Sequence, residues 1–134
     1  MSKKMKMLTI RWQRLVNENN KTCPRCGETG ETVTTVFKKL KKALAELDIE
    51  VELVKEALDF SIFTKDPLQS NCIWIGGRLL EEWIDGTTGK SKCCDTCGDS
   101  ECRTISVGKN TFESIPENLI IRAGLLAAAE LVTQ

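Results

Sequence analysis

Residues 7–54 read MLTIRWQRLVNENNKTCPRCGETGETVTTVFKKLKKALAELDIEVELV, and the architecture turns on them. The stretch opens with alternation. Leu8, Ile10 and Trp12 point one way and Thr9, Arg11 and Gln13 the other, which predicts a half-buried strand over 7–16. Asn17 to Lys21 is polar and turn-like, and Thr22-Cys23-Pro24-Arg25-Cys26-Gly27 follows. Val33, Val36, Phe37, Leu40, Leu44 and Leu47 then recur at helical spacing, with Lys38, Lys39, Lys41 and Lys42 mostly on the other face. That predicts an amphipathic helix over 31–47, with Thr29 as a candidate N-cap. Ile49, Val51 and Leu53 alternate with Glu50 and Glu52, a second strand over 49–54. A strand-helix-strand unit of this kind predicts two parallel strands joined by a right-handed crossover.

Working outward, residues 56–69 are mixed and predict a short helix ended near Pro67. Cys72-Ile73-Trp74-Ile75 is a short apolar run with Gly76-Gly77 behind it, and 72–84 reads as a hairpin. Residues 85–111 are rich in Gly, Ser, Thr, Lys and Asp and predict an insertion loop. Residues 114–132 predict the last helix. Ser114 and Glu117 form a capping box around Pro116, and Leu119, Ile121, Leu125, Ala128 and Val132 form its apolar stripe.

A chain of 134 residues fits one domain over 1–134, with 85–111 as an insertion within it. Its 41% apolar and 28% charged residues are ordinary for a globular protein. The net charge of zero argues against a nucleic-acid partner. Residues 1–48 carry eleven Lys/Arg and five Asp/Glu, an imbalance reversed in the remainder and read as solvated helix faces. No apolar run approaches a membrane span and no signal-peptide stretch follows the basic N-terminus. The expectation is therefore a cytoplasmic protein with no membrane partner.

Seven cysteines and no histidine narrow the chemistry further. Ser-His-Asp and Cys-His catalysis and every His-ligated metal site are excluded. Cysteines at this density in a cytoplasmic chain point to redox or metal chemistry rather than a structural disulfide framework. Cys23-Pro24-Arg25-Cys26 lies between a predicted strand and a predicted helix. A pair at that spacing can close a disulfide, and a helix N-terminus stabilises the thiolate of its first member. Arg25 adds a nearby positive charge. In this reading Cys23 attacks and Cys26 resolves. The competing reading makes the two cysteines half of a zinc site.

Four segments carry a resemblance. They are Cys23-Pro24-Arg25-Cys26; Ser70-Asn71-Cys72-Ile73-Trp74-Ile75-Gly76-Gly77-Arg78; Cys93-Cys94-Asp95-Thr96-Cys97-Gly98-Asp99-Ser100-Glu101-Cys102-Arg103; and Ile115-Pro116-Glu117 leading into the last helix. In this order the chain resembles the thioredoxin-like superfamily, and within it a small prokaryotic domain family with no assigned activity. The resemblance implies an α/β thioredoxin-like fold, a mixed sheet with flanking helices, carrying a Cys-rich insertion before the C-terminal helix. It implies a redox-active pair at Cys23 and Cys26, flanked by Pro24 and Arg25, acting on a protein or small-molecule disulfide or thiol. Thioredoxins place a cis-proline just before the third strand. Here Ser70 or Asn71 stands there, the nearest proline being Pro67, and both are candidate neighbours of the active pair.

Cys93, Cys94, Cys97 and Cys102 form a second cluster. Thiolates this dense repel one another unless a metal or disulfides absorb them. Zinc held by four thiolates is one solution, either within the cluster or shared as Cys23, Cys26, Cys94 and Cys97. Local disulfides or a redox relay to the first pair are others. The spacing is a poor match to an iron–sulfur site. Asp95 is a weaker candidate ligand. Cys72 reads as a small core hydrophobe, with a role beside the active pair as its alternative. Trp12, Trp74 and Trp83 read as strand residues packing the core or its rim, and Glu81-Glu82 as a solvated acidic pair.

Overall fold

Strand β1 (Lys6–Leu15) is central to a four-stranded sheet. It pairs parallel with β2 (Ile49–Leu58) and antiparallel with β3 (Cys72–Ile75). β3 turns back on β4 (Arg78–Leu79), giving the order β2-β1-β3-β4. Between β1 and β2 runs α1 (Pro24–Leu44), followed by a 3-10 turn (Ala45–Leu47). After β4 comes one helical turn, α2 (Leu80–Trp83), then an antiparallel sheet of β5 (Thr87–Lys92), β6 (Glu101–Val107) and β7 (Asn110–Phe112). Helix α3 (Glu117–Val132) closes the chain. The computed structural model describes residues 6–15, 24–58, 72–92 and 101–133. The architecture is thus mixed α/β, a mixed sheet with flanking helices.

Alternation along β1 sets the layers. Leu8, Ile10 and Trp12 are buried beside Ile49, Val51, Ile73 and Ile75. Val33, Val36, Leu40 and Leu44 of α1 and Ile120, Ala123 and Ala127 of α3 complete that core. Small residues on α3 let the two helices approach: a Cβ at Gly124 would sit 2.5 Å from Leu40 Cδ1. The Gly76–Gly77 turn has positive φ at both residues, +60° and +85°. That is the backbone a two-residue hairpin with right-handed twist requires, and it is open to glycine at little steric cost.

Several elements depart from the sequence expectation. β2 continues to Leu58, so residues 56–58 are strand rather than the start of a helix. Pairing with Gln13, Arg14 and Leu15 supplies the backbone hydrogen bonds there, and register overrides local propensity. The rest of that expected helix, with Pro67, lies outside the described residues. Trp83 stands in the α2 turn rather than on a strand, and its Nε1 donates to the Ile75 carbonyl at 2.7 Å.

Ser114 and Glu117 do not cap α3. Its N-cap residue is Pro116, with no side-chain cap. Ser114 instead donates to Glu28 Oε2 at 2.7 Å, and the Glu117 carboxylate pairs with Lys39. Thr29 caps nothing either. It is buried inside α1, and its Oγ1 accepts from the Ile115 N–H at 3.1 Å. These contacts tie the segment between β7 and α3 to α1.

The region 85–111 is largely sheet, not loop. Its polar composition leaves apolar alternation only at Ile105 and Val107, yet the backbone ladder from Thr87↔Ser106 to Lys92↔Glu101 is continuous. A buried ion pair anchors it. Glu81 on α2 is 3% exposed and Arg103 on β6 is 6% exposed. Arg103 Nη2 donates to Glu81 Oε2 and to Thr88 Oγ1, and Thr88 Oγ1 also donates to that carboxylate. Glu81 is therefore no solvated surface acid. Removing one member of such a pair strands the other charge in a dry site. Arg103→Met should cost about 3–5 kcal/mol in urea unfolding, and the double variant Glu81→Met/Arg103→Met should recover most of it. A single-variant loss within the ~0.5 kcal/mol typical of surface substitutions would show that the pair does not anchor the second sheet.

Candidate active site

The carboxyl ends of β1 and β2, the first turn of α1 and the first residue of β3 meet at one end of the four-stranded sheet. α1 starts at Pro24, not at 31. Proline suits a first helical position because its φ is preset and its missing N–H would have had no intrahelical partner. Glycine at position 30, inside the helix, has a packing reason. A Cβ at Gly30 would lie 2.3 Å from the Trp12 ring, so glycine permits the helix to press against β1.

Starting at Pro24 places Arg25 and Cys26 in the first turn of a 21-residue helix. Backbone N–H groups there lack intrahelical acceptors, and the helix dipole presents its positive end. Both effects favour a thiolate over a thiol. Cys23 directly precedes this turn in sequence and lies outside the described residues. Ser70 and Asn71, directly ahead of β3, also lie outside them.

Cys72 opens β3 at the same end and is 2% exposed. Its register puts it on the sheet face of Gln13 and Trp74, away from the helix core in which the sequence placed it as a small hydrophobe. Its cross-strand partner is Gln13, itself 5% exposed. Arg11 follows two residues away on the same face, opposite Trp74. Arg11 Nη2 donates to Glu56 Oε2 at 2.7 Å and to Gln13 Oε1 at 3.3 Å. Its guanidinium also lies 4.7 Å from the Trp74 ring centroid. The hydrogen bond that Arg11 donates to Glu56 is the main reason its pKa stands above its ordinary value, opposed by burial and helped by the Glu56 and Cys72 charges. A cleft of about 540 Å³ borders this group, lined by Thr9, Arg11, Trp74, Gly76, Trp83 and Glu130 among others.

Sequence reasoning missed Arg11, Gln13 and Glu56. The signal was present in the alternation. Residues that alternate with Leu8, Ile10 and Trp12 must share the sheet face opposite the helices, where the register also puts Cys72 and Trp74.

The second cysteine cluster divides. Cys102 is the second residue of β6, paired with Ser91, and Cys93, Cys94, Cys97 and Asp95 lie outside the described residues. Lys92↔Glu101 is the last pair of the β5–β6 ladder, on either side of residues 93–100 in sequence. Among the described residues no group of three or more Cys, Asp or Glu is gathered to hold a metal ion, and no helix is long and apolar enough to cross a membrane.

The helix start depends on the Gly30–Trp12 contact. Gly30→Ala gains about 1 kcal/mol of helix propensity but meets a rigid buried ring, so a net loss of about 1–2 kcal/mol is expected in denaturant melts. Equal or greater stability would show that the contact does not set the position of α1.

Comparison with known proteins adds relatives rather than an activity. The chain is 42% identical over 113 residues to an Archaeoglobus fulgidus protein described as uncharacterised, covering 84% of this chain and 82% of that one. No solved structure matches it. The model of one family matches residues 8–124. On that span, the chain belongs to the family described as domain of unknown function DUF2703.

Proposed function

We propose that the protein is a thioredoxin-like thiol–disulfide oxidoreductase, with Cys23 as nucleophile and Cys26 as resolving thiol. The observation that carries this reading is the helix start at Pro24, which puts Cys26 in the first turn of α1 and Cys23 immediately before it in sequence. The parallel β1–α1–β2 unit and the β3–β4 hairpin supply the strand-helix-strand and late-hairpin order of that superfamily.

The exchange is a two-step substitution at sulfur. The Cys23 thiolate attacks one sulfur of a substrate disulfide. A Cys23–substrate disulfide forms as the substrate S–S bond breaks, and the departing thiolate takes a proton. The Cys26 thiolate then attacks Cys23 Sγ, releasing the second substrate thiolate and leaving a Cys23–Cys26 disulfide. The substrate gains two electrons and the pair loses two. An external dithiol resets it. A cytoplasmic location is consistent with a pair kept reduced between turnovers.

A second reading rests on the β5–β6 register, whose last pairs, Ser91↔Cys102 and Lys92↔Glu101, flank the cysteines of residues 93–100 in sequence. Zinc held by those thiolates would make the hairpin a metal module independent of Cys23 and Cys26.

The two readings separate cleanly. As a dithiol enzyme the protein should reduce insulin with dithiothreitol as electron source. Cys23→Ser should lower that turnover at least about 100-fold, Cys72→Ser should leave it within about twofold, and Cys26→Ser should accumulate the mixed disulfide. Turnover that survives Cys23→Ser contradicts the assignment. Protein purified anaerobically should carry well below one metal ion per chain; one zinc per chain, lost together with the hairpin fold on chelation, supports the metal module.

A further inference from the structure

Helix α3 is apolar on both sides. Its sequence ENLIIRAGLLAAAELV holds three charged residues, Glu117, Arg122 and Glu130. The inner side is small and fully packed, with Ile120, Ala123, Gly124, Ala127 and Ala128 buried. The outer side carries Leu125, Leu126 and Val132 at 49%, 42% and 46% exposure, with Ile121 half-buried. Three of the five large hydrophobic residues exposed among the described residues therefore sit on this one helix face. A helix that is apolar all round is normally covered on all sides.

We propose that this face is covered by a second copy of the same chain, with the two α3 helices antiparallel about a two-fold axis near Leu126. Asn118, Arg122, Leu125, Leu126, Ala129 and Val132 are exposed along one side of α3, with Leu125 and Leu126 at its middle. A shallow groove lined by Asn118, Ile121, Arg122, Leu125 and Leu126 lies on that same side. One patch that meets its own copy is what an isologous contact requires.

Charge selects the direction. Arg122 stands one turn before Leu126 and Glu130 one turn after it. An antiparallel pair sets each Arg122 level with the second copy's Glu130, and opposes the helix dipoles favourably. A parallel pair would set like charges together. Glu130 already accepts from Arg78 at 3.2 Å, and its side chain stays 51% exposed. A membrane surface is the poorer occupant, since interfacial helices are rich in Lys and Arg on their polar side and α3 has one arginine. The contact uses no cysteine, so it is independent of the redox reading.

Sedimentation of the full chain under reducing conditions tests the proposal. At about 100 μM, where even a weak dimer populates, the expected mass is twice the 15.0 kDa of the chain. Leu125→Glu/Leu126→Glu should return it to the mass of one chain with an unchanged far-UV circular dichroism spectrum. Arg122→Glu, which opposes the second copy's Glu130, should weaken association about tenfold. A monomeric wild type, a species larger than a dimer, or a dimer that survives the double leucine variant would each overturn the proposal. Unchanged association of Arg122→Glu would overturn the antiparallel arrangement.

Discussion

The Trp12 ring occupies the space where any side chain at position 30 would have to stand, its nearest atom 2.3 Å from an ideal Cβ. The indole is 3% exposed and held in a strand paired on both sides, so it does not yield. Helix α1 can therefore cross β1 only through glycine. That contact fixes where the helix runs, and from it where its first turn ends up. α3 repeats the device from its own side, bringing Gly124 against Leu40.

The first turn of α1 is where the proposed chemistry resides, and its surroundings are built on β1. The inner face of that strand feeds the core. Its outer face carries Arg11 and Gln13 next to Glu56, Trp74 and Cys72. A guanidinium held between a carboxylate and an indole is a fixed positive charge, since arginine does not lose its proton in proteins. The resulting end of the sheet combines a helix N-terminus, a stationary cation and a buried thiol. Each favours negative charge on sulfur or supplies sulfur. The second sheet joins that core through Ile105, with Val107 and Phe112 packed against it, and adds the buried Glu81–Arg103 pair.

The parts of this arrangement that sequence reveals are those where one periodicity dominates. β1, β2 and the body of α1 show clean alternation or helical spacing, and they form the expected strand-helix-strand unit. The Gly-Gly turn before Arg78 is equally plain. Where two forces compete, local reading goes astray. Gly27 and Gly30 argue against helix, yet Pro24 and the Trp12 contact place them inside one. Ser114 and Glu117 have capping spacing, yet partners on α1 claim both side chains. α3 has apolar residues all round, so its stripe is ambiguous. Leu119 and Ala128 face inward as expected, while Leu125 and Val132 face outward, because packing against Leu40 selects the side with Gly124 and the alanines. Strand β5 shows no apolar alternation, and β6 shows it only at Ile105 and Val107. Their ladder and one buried ion pair add to the burial of Ile105, and neither leaves a mark in hydropathy. The cluster of Arg11, Gln13 and Glu56 depends on register across three strands, which no single segment encodes.

The central claim is that Cys23 and Cys26 form a reversible two-electron couple. It is tested most directly by equilibrating the protein in glutathione buffers of graded potential and mapping disulfides in the quenched peptides. The account predicts a Cys23–Cys26 disulfide whose oxidised fraction follows a two-electron curve, about 30 mV per tenfold change in ratio. A Cys23–Cys26 peptide that stays unlinked across the whole range, while other cysteines oxidise, would contradict it.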